Sequence, residues 1–140
     1  GYLLKALYAT SNELVHLDVY PVPNYLTYLD VSRNHLESLP EWVCDSRKLE
    51  VLDLGHNHIR ELPARLFCNI SLRKLLAGHN QLARLPEKIE RTHVEVLDVQ
   101  HNQLVELPSN LLLKADRFSK LKSLNLSNNH LGDFPLAVCS

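Results

Sequence analysis

A repeated pattern of leucines and asparagines constrains the fold of this chain more than any other feature. The pattern Leu-x-x-Leu-x-Leu-x-x-Asn-x-Leu, with some aliphatic substitutions, recurs along the 140 residues. Its six copies begin at Leu4, Leu26, Leu49, Leu72, Val94 and Leu121. Their asparagines are Asn12, Asn34, Asn57, Asn80, Asn102 and Asn129, which lie 22, 23, 23, 22 and 27 residues apart. A unit this short cannot bury its own leucines, so the units must stack.

Each unit opens with a short alternating segment, such as residues 49–54, whose period of two predicts a β-strand. When the units stack, these strands pair as a parallel sheet and their leucines merge into one core. The pattern therefore predicts an α/β solenoid, namely a leucine-rich-repeat horseshoe of about six repeats. Its parallel β-sheet lines the concave side, and irregular segments with short helical turns form the convex side.

The repeated asparagine and a following Leu-Pro pair predict how the chain leaves each strand. We expect the asparagine amide to bond backbone groups of neighbouring turns, which is a structural role. The proline fixes the backbone where the outer arc begins, so residues 41–46 and 64–69 are expected to form single helical turns. The longer segment 109–120 accounts for the 27-residue spacing and is predicted to form two or three turns.

The repeats run through the whole chain, so we predict a single leucine-rich-repeat array over residues 1–140. Neither end shows a polar capping segment, which indicates an internal slice of a longer array. Cys44 and Cys68 occupy different registers of adjacent outer arcs, which favours two buried free thiols over a disulfide. The odd count of three cysteines favours a reducing compartment. Two glycosylation tripeptides, at residues 69–71 and 125–127, are interpreted as coincidence.

Charge and motifs exclude several functions. Fifteen Lys and Arg residues against sixteen Asp and Glu give a net charge of -1, which argues against nucleic acid or membrane surfaces as partners. No apolar run is long enough for direct membrane insertion. The chain has no Gly-rich phosphate loop, no Cys-x-x-Cys, no Gly-x-Ser-x-Gly and no His-Glu-x-x-His. We therefore predict no catalytic, cofactor-binding or metal-binding residues, and a monomer whose partners are proteins.

The residues that point out of the predicted sheet form columns with one member per repeat. One column carries three aspartates, and a second, just before each asparagine, carries an arginine and three histidines. The predicted partner-binding surface comprises Tyr28, Asp30, Arg33, Asp53, His56, His79, Asp98 and His101. The histidines are open to two further interpretations: hydrated surface residues, or a metal site that the spread along the stack disfavours. Gly55 and Gly78 indicate either a shallow groove or tolerance of glycine at a strand end.

Four stretches carry a more specific resemblance. They are residues 17–23 (Leu-Asp-Val-Tyr-Pro-Val-Pro), 26–34 (Leu-Thr-Tyr-Leu-Asp-Val-Ser-Arg-Asn), 72–86 and 94–104. In these stretches the sequence resembles the leucine-rich-repeat region of the PH-domain leucine-rich-repeat protein phosphatases, abbreviated PHLPP. The resemblance implies a larger protein with a metal-dependent serine/threonine phosphatase domain outside this chain.

The resemblance also implies a function for the repeats. They would recruit kinases or scaffolds to a phosphatase that dephosphorylates kinases such as Akt and protein kinase C. The implied location is cytoplasmic, with nuclear or membrane-associated placement through the rest of the parent protein. Two alternatives stay open: an intracellular leucine-rich-repeat scaffold of the cell-polarity or Ras-regulating kind, and a fragment of an extracellular receptor ectodomain.

Overall fold

A computed structural model of the chain describes residues 4–20, 22–86, 92–107 and 121–131. Six three-residue strands in these segments form one parallel sheet. They are β1 (Ala6–Tyr8), β2 (Tyr28–Asp30), β3 (Val51–Asp53), β4 (Lys74–Leu76), β5 (Val96–Asp98) and β6 (Ser123–Asn125). The strand order follows the chain, β1-β2-β3-β4-β5-β6, so each strand pairs with the strand of the next repeat. The predicted parallel solenoid is confirmed.

The repeat period sets the register of the sheet. The central leucine of each strand lies opposite the central leucine of the next, as in Leu29 opposite Leu52 and Leu52 opposite Leu75. These leucines turn inward because neighbouring side chains on a strand point to opposite faces. They form one continuous core with the other framework residues of the repeats, including Leu36, Ile59 and Leu82.

The described residues of the outer arcs contain two single helical turns, as predicted. Helix α1 (Glu41–Cys44) and helix α2 (Ala64–Phe67) each follow a proline in extended conformation, Pro40 and Pro63. Buried residues on the inward side of these helices, such as Val43, pack against the leucine core and hold the outer arc to it. The longer helical segment predicted at residues 109–120 lies outside the described residues. Among the described residues, no helix is long and apolar enough to cross a membrane.

The asparagine ladder joins each repeat to the one before it. Asn57 Nδ2 donates to the carbonyl of Val31 in the preceding repeat (3.1 Å) and to that of Leu54 in its own (3.0 Å). Its Oδ1 accepts the N–H of Leu36 (3.0 Å). The same bonds recur at Asn34, Asn80, Asn102 and Asn129. The predicted structural role of the asparagine is confirmed at these five positions, whereas the exposed Asn12 of the first repeat bonds the carbonyl of Thr10 in its own repeat.

The two cysteines of the described residues differ in exposure. Both thiols are free, but Cys44 is buried whereas Cys68 is exposed. The predicted burial of Cys68 is therefore wrong. Cys44 is the last residue of α1, while Cys68 follows the end of α2, so the equivalent inward position is occupied by Phe67. Burial raises the pKa of the Cys44 thiol.

Candidate functional site

The predicted aspartate column is present on the concave face of the sheet. Cross-strand pairing places Tyr8 opposite Asp30, Asp30 opposite Asp53, and Asp98 opposite Asn125. Leu76 interrupts the column between the second and third aspartates. All three aspartates are half-buried. Neighbouring strands lie about 4.8 Å apart, so Asp30 and Asp53 form a pair of adjacent like charges.

Each aspartate also stabilises the turn that follows its strand, a role that sequence reasoning missed. Asp30 Oδ1 accepts the N–H of Ser32 (2.9 Å), and Asp53 and Asp98 accept the equivalent N–H groups two residues further on. At the last strand, Asn125 Oδ1 makes the same bond to the N–H of Ser127 (3.1 Å). An amide oxygen can therefore accept the same turn bond as a carboxylate oxygen, and this bond does not require a negative charge.

The aspartates differ in whether their second carboxylate oxygen, Oδ2, accepts a hydrogen bond. Asp98 Oδ2 accepts a bond from the side chain of Gln100 (3.0 Å). In the described part of the chain, no side chain donates to Oδ2 of Asp30 or Asp53, and the three ion pairs found there involve only Asp45 and Glu95 as acids. Burial raises the pKa of Asp53, the Gly55 N–H opposes that shift, and the Asp30 carboxylate adds to it.

The three predicted histidines form a stack. The ring centroids of His56 and His79 are 4.1 Å apart with planes at 9°, and those of His79 and His101 are 4.2 Å apart at 13°. The stack continues to Asn128, whose Nδ2 lies 3.1 Å from His101 Nε2. Each of these residues has a positive φ, as has Arg33 at the same position of an earlier repeat. The shared left-handed backbone gives their exposed side chains one common direction.

The stacked arrangement affects the pKa of His79 and the directions in which the ring nitrogens point. Desolvation lowers the pKa of His79, and the neighbouring His56 and His101 lower it further, against the opposing influence of Asp98. Parallel rings direct their nitrogens along the stack edge instead of towards one point, which metal coordination would require. Within the described residues, no group of three or more His, Cys, Asp or Glu side chains is arranged to hold a metal ion.

Two tyrosines lie beside the acidic pair. The rings of Tyr8 and Tyr28 have centroids 5.1 Å apart and are tilted by 33°. Tyr8 is 65% exposed. Burial raises the pKa of the Tyr28 phenol, and the Asp30 carboxylate raises it further. Tyr28 belonged to the predicted surface and Tyr8 did not, although Tyr8 stands in the aspartate column opposite Asp30. The two rings meet diagonally across adjacent strands, a contact that the column pattern did not predict.

A second histidine ladder lies just after the asparagines and was also missed. His35 and His58 stack with centroids 5.5 Å apart, and His35 Nδ1 lies 3.3 Å from His58 Nε2. Gln81 extends the chain of contacts to a third repeat, with its Nε2 3.4 Å from His58 Nδ1. The signal in the sequence was the residue after each asparagine, which is a histidine in three repeats.

The two glycines on the sheet are explained by their own neighbours. A Cβ at Gly55 would lie 3.2 Å from Asp53 Oδ1, and one at Gly78 would lie 3.1 Å from Gln100 Cγ. Both glycines are buried. The space above them is thus occupied by adjacent side chains, which supports tolerance of glycine at a strand end and not a groove for a ligand.

An open cavity of about 550 Å³ lies on the outer arcs of the second and third repeats. It is lined by Cys44, Asp45, Arg47, Cys68, Asn69 and Ile70. Asp45 is engaged in an ion pair with Arg65, and Asn69 is held by the carbonyl of Ser46. The polar groups of this cavity therefore serve the contact between repeats, and the concave face is the stronger candidate for binding.

Comparison with known proteins agrees with this architecture. A family model described as a leucine-rich repeat matches residues 24–82, and a second with that description matches residues 120–140. Among solved structures, YopM from Yersinia enterocolitica WA-314 superposes with a TM-score of 0.71 at 32% identity, covering 94% of this chain and 26% of YopM. An internalin from Listeria monocytogenes shares the fold with a TM-score of 0.70 at 24% identity, covering 98% of this chain and 46% of the internalin.

The chain is also similar to a longer protein along its whole length. It is 79% identical over 140 residues to PH domain leucine-rich repeat-containing protein phosphatase 1 of Homo sapiens. That match covers 100% of this chain and 8% of the human protein. Repeats, sheet and similarity together identify this chain as a leucine-rich-repeat array of the kind carried by the PH domain leucine-rich repeat protein phosphatases.

Proposed function

We propose that this array recruits protein partners to a serine/threonine protein phosphatase of the PHLPP type. The observation that carries the proposal is the concave face, where the exposed histidine stack and the unneutralised Asp30 and Asp53 lie side by side on a regular sheet. Repeated side chains on a rigid sheet suit the binding of another protein, because their spacing is fixed before the partner arrives.

The similarity to the human phosphatase supports a parent protein whose metal-dependent catalytic domain lies outside this chain. Under this proposal the partners are kinases such as Akt and protein kinase C, or scaffolds that hold them, and the array acts as a monomer without a cofactor. We place it in the cytoplasm. Asn69 weighs against the extracellular-receptor alternative, since it is buried and its amide nitrogen donates to the Ser46 carbonyl (2.8 Å), out of reach of a glycan.

The test compares two substrates of the full-length parent phosphatase. We expect Asp30→Asn, Asp53→Asn and Asp98→Asn combined to raise KM for a phosphorylated kinase while leaving turnover of p-nitrophenyl phosphate unchanged. The amides keep the turn bonds, as Asn125 does, so the change removes charge and, at Asp98, one oxygen acceptor for the Gln100 side chain. The matched control is Glu41→Gln, Glu61→Gln and Glu106→Gln, three exposed carboxylates outside the sheet. An unchanged KM for the kinase in the aspartate variant would refute recruitment through this face.

A further inference from the structure

We propose that the first three strands carry a binding site for an arginine side chain in an extended segment of the partner, formed by Tyr8, Tyr28, Asp30 and Asp53. The inference rests on the proposed function and deepens it by stating the chemistry of the partner. It draws on three separate features of the concave face: an aromatic pair in which Tyr8 is exposed and Tyr28 half-buried, two open carboxylate oxygens, and the absence of an ion pair to either carboxylate in the described part of the chain.

The four side chains share one face of the sheet. Tyr28 and Asp30 are two residues apart on β2, so they point the same way. Tyr8 on β1 and Asp53 on β3 are the direct cross-strand partners of Asp30 on its two sides. The Tyr8–Tyr28 ring contact at 5.1 Å then lies next to the pair of carboxylates. A ligand above β2 would meet the aromatic pair and both acids together.

The tyrosine rings offer a surface that suits a planar cation. A guanidinium stacks on an aromatic face, where the negative face of the ring attracts the charge. The chain already makes one contact of this kind outside the sheet, with Lys48 Nζ 5.2 Å from the centre of the Tyr25 ring. The Tyr8–Tyr28 pair, in contrast, has no cation over it in the described structure, and Tyr8 is largely exposed.

The carboxylates supply the acceptors. Each uses Oδ1 for its own turn, at 2.9 Å for Asp30 and 3.0 Å for Asp53, which fixes the side chain and leaves Oδ2 open. Strands about 4.8 Å apart put the two open oxygens within the span of one guanidinium, which can donate to both. Such a ligand also neutralises two adjacent like charges; burial is the main cause of the raised pKa of Asp53 in the free chain, and repulsion from Asp30 adds to it.

The geometry favours arginine over lysine and one end of the sheet over the other. An ammonium is a point charge without a planar face, so it gains less from stacking and from two separated acceptors. Further along the column, Leu76 supplies no charge and Asp98 already accepts a bond from Gln100. Arg33 lies beyond the end of β2 and forms no ion pair with the two acids in the described structure.

The experiment titrates the 140-residue chain, labelled with ¹⁵N, with the peptide acetyl-Ser-Arg-Ser-Arg-Ser-amide and with its lysine and glutamate counterparts. We expect amide signals of residues 8, 28–32 and 53–55 to shift with the arginine peptide, and the lysine peptide to bind more weakly. Asp30→Asn with Asp53→Asn should raise the arginine-peptide Kd about tenfold or more. Tyr8→Leu with Tyr28→Leu should raise it about fivefold to tenfold.

Matched controls keep the result specific. Tyr20→Leu removes a tyrosine that is 95% exposed outside the sheet, and Glu41→Gln with Glu61→Gln removes two charges outside the sheet. Both controls should leave Kd unchanged, and circular dichroism checks that every variant is folded. The site is refuted if the control pair weakens the peptide as much as the aspartate pair does. Equal affinity for the arginine and lysine peptides with no effect of the tyrosine variant also refutes it.

The two proposals fail separately. If the full-length aspartate variant loses kinase recognition while the arginine peptide never binds the array, arginine recognition is wrong and recruitment stands. If the peptide binds at residues 8, 28–32 and 53–55 but KM for the kinase never changes, the array has the arginine site and recruitment of kinases is wrong.

Discussion

Asn57 Oδ1 accepts the backbone N–H of Leu36 at 3.0 Å, and this bond ties the third repeat to the second. The Nδ2 of the same amide donates to the carbonyls of Val31 and Leu54. Both Asn57 and Leu36 are buried, so water cannot replace the asparagine amide if it is removed. The asparagine ladder is therefore a condition for stacking.

Asn57→Ala should lower the free energy of unfolding by about 2–4 kcal/mol, mainly because the buried Leu36 N–H loses its partner. The carbonyls of Val31 and Leu54 each lose one of two amide donors and keep the other, from Asn34 and Asn80. Urea unfolding followed by circular dichroism measures this loss. The first repeat provides the control: Asn12 is exposed, and within the described residues its side chain bonds only the carbonyl of Thr10, at 3.3 Å. Asn12→Ala should cost less than about 0.5 kcal/mol. Similar losses at both positions would contradict the assigned role.

Asp53 should tolerate an amide better than a methyl group. Asp53→Asn keeps an acceptor for the Gly55 N–H and removes the repulsion from Asp30, so we expect stability to rise by up to about 1 kcal/mol. Asp53→Ala also removes the repulsion but loses the bond, which costs about 1 kcal/mol. The measurement is the urea midpoint of both variants at pH 7. An alanine variant as stable as the asparagine variant would show that the turn bond contributes nothing.

Acidification should destabilise the array in part through His79. The folded chain lowers the pKa of His79 below its ordinary value of 6.5, so the unfolded chain binds the proton more readily. Stability from this residue is complete above pH 6.5 and decreases as the pH falls through 6.5 towards the folded pKa. His79→Asn should therefore lose less stability than the parent chain between pH 7.5 and 5.5, as measured by urea unfolding at both values. Equal losses would contradict the shift.

The left-handed backbone at Arg33 should make glycine favourable there. Its φ is 58°, and an L-residue in this region costs about 1–2 kcal/mol, whereas glycine adopts it freely. After the entropic cost of glycine, about 0.5–1 kcal/mol, Arg33→Gly should raise stability by up to about 1 kcal/mol. Ser32→Gly, next to it but without a positive φ, should instead destabilise by about 0.5–1 kcal/mol. Thermal unfolding of the two variants compares them directly.

The sheet and the asparagine ladder could be predicted because a fixed period along the chain becomes a fixed register across the sheet. The turn bonds of the aspartates could not, because they depend on how each side chain folds back on its own backbone. The Tyr8–Tyr28 contact was missed since it crosses columns diagonally. Cys68 is exposed because it lies one residue further from its proline, Pro63, than the buried Cys44 lies from Pro40. The binding role of Tyr28, Arg33, the three aspartates and the three stacked histidines stays a prediction.

The asparagine ladder also limits how such an array can change in evolution. The side-chain bonds of Asn57 join residues of its own repeat and of the one before it. The fit of each asparagine therefore depends on two adjacent repeats and not on the length of the array. Loss of residues 35–57, one full unit, would bring Asn34 to the place of Asn57 and keep every later neighbour in phase. Loss of a single residue within a strand would turn leucines towards solvent and separate each amide from its carbonyls. Arrays of this kind can therefore lengthen and shorten by duplication or deletion of whole units, while their strands resist smaller insertions and deletions.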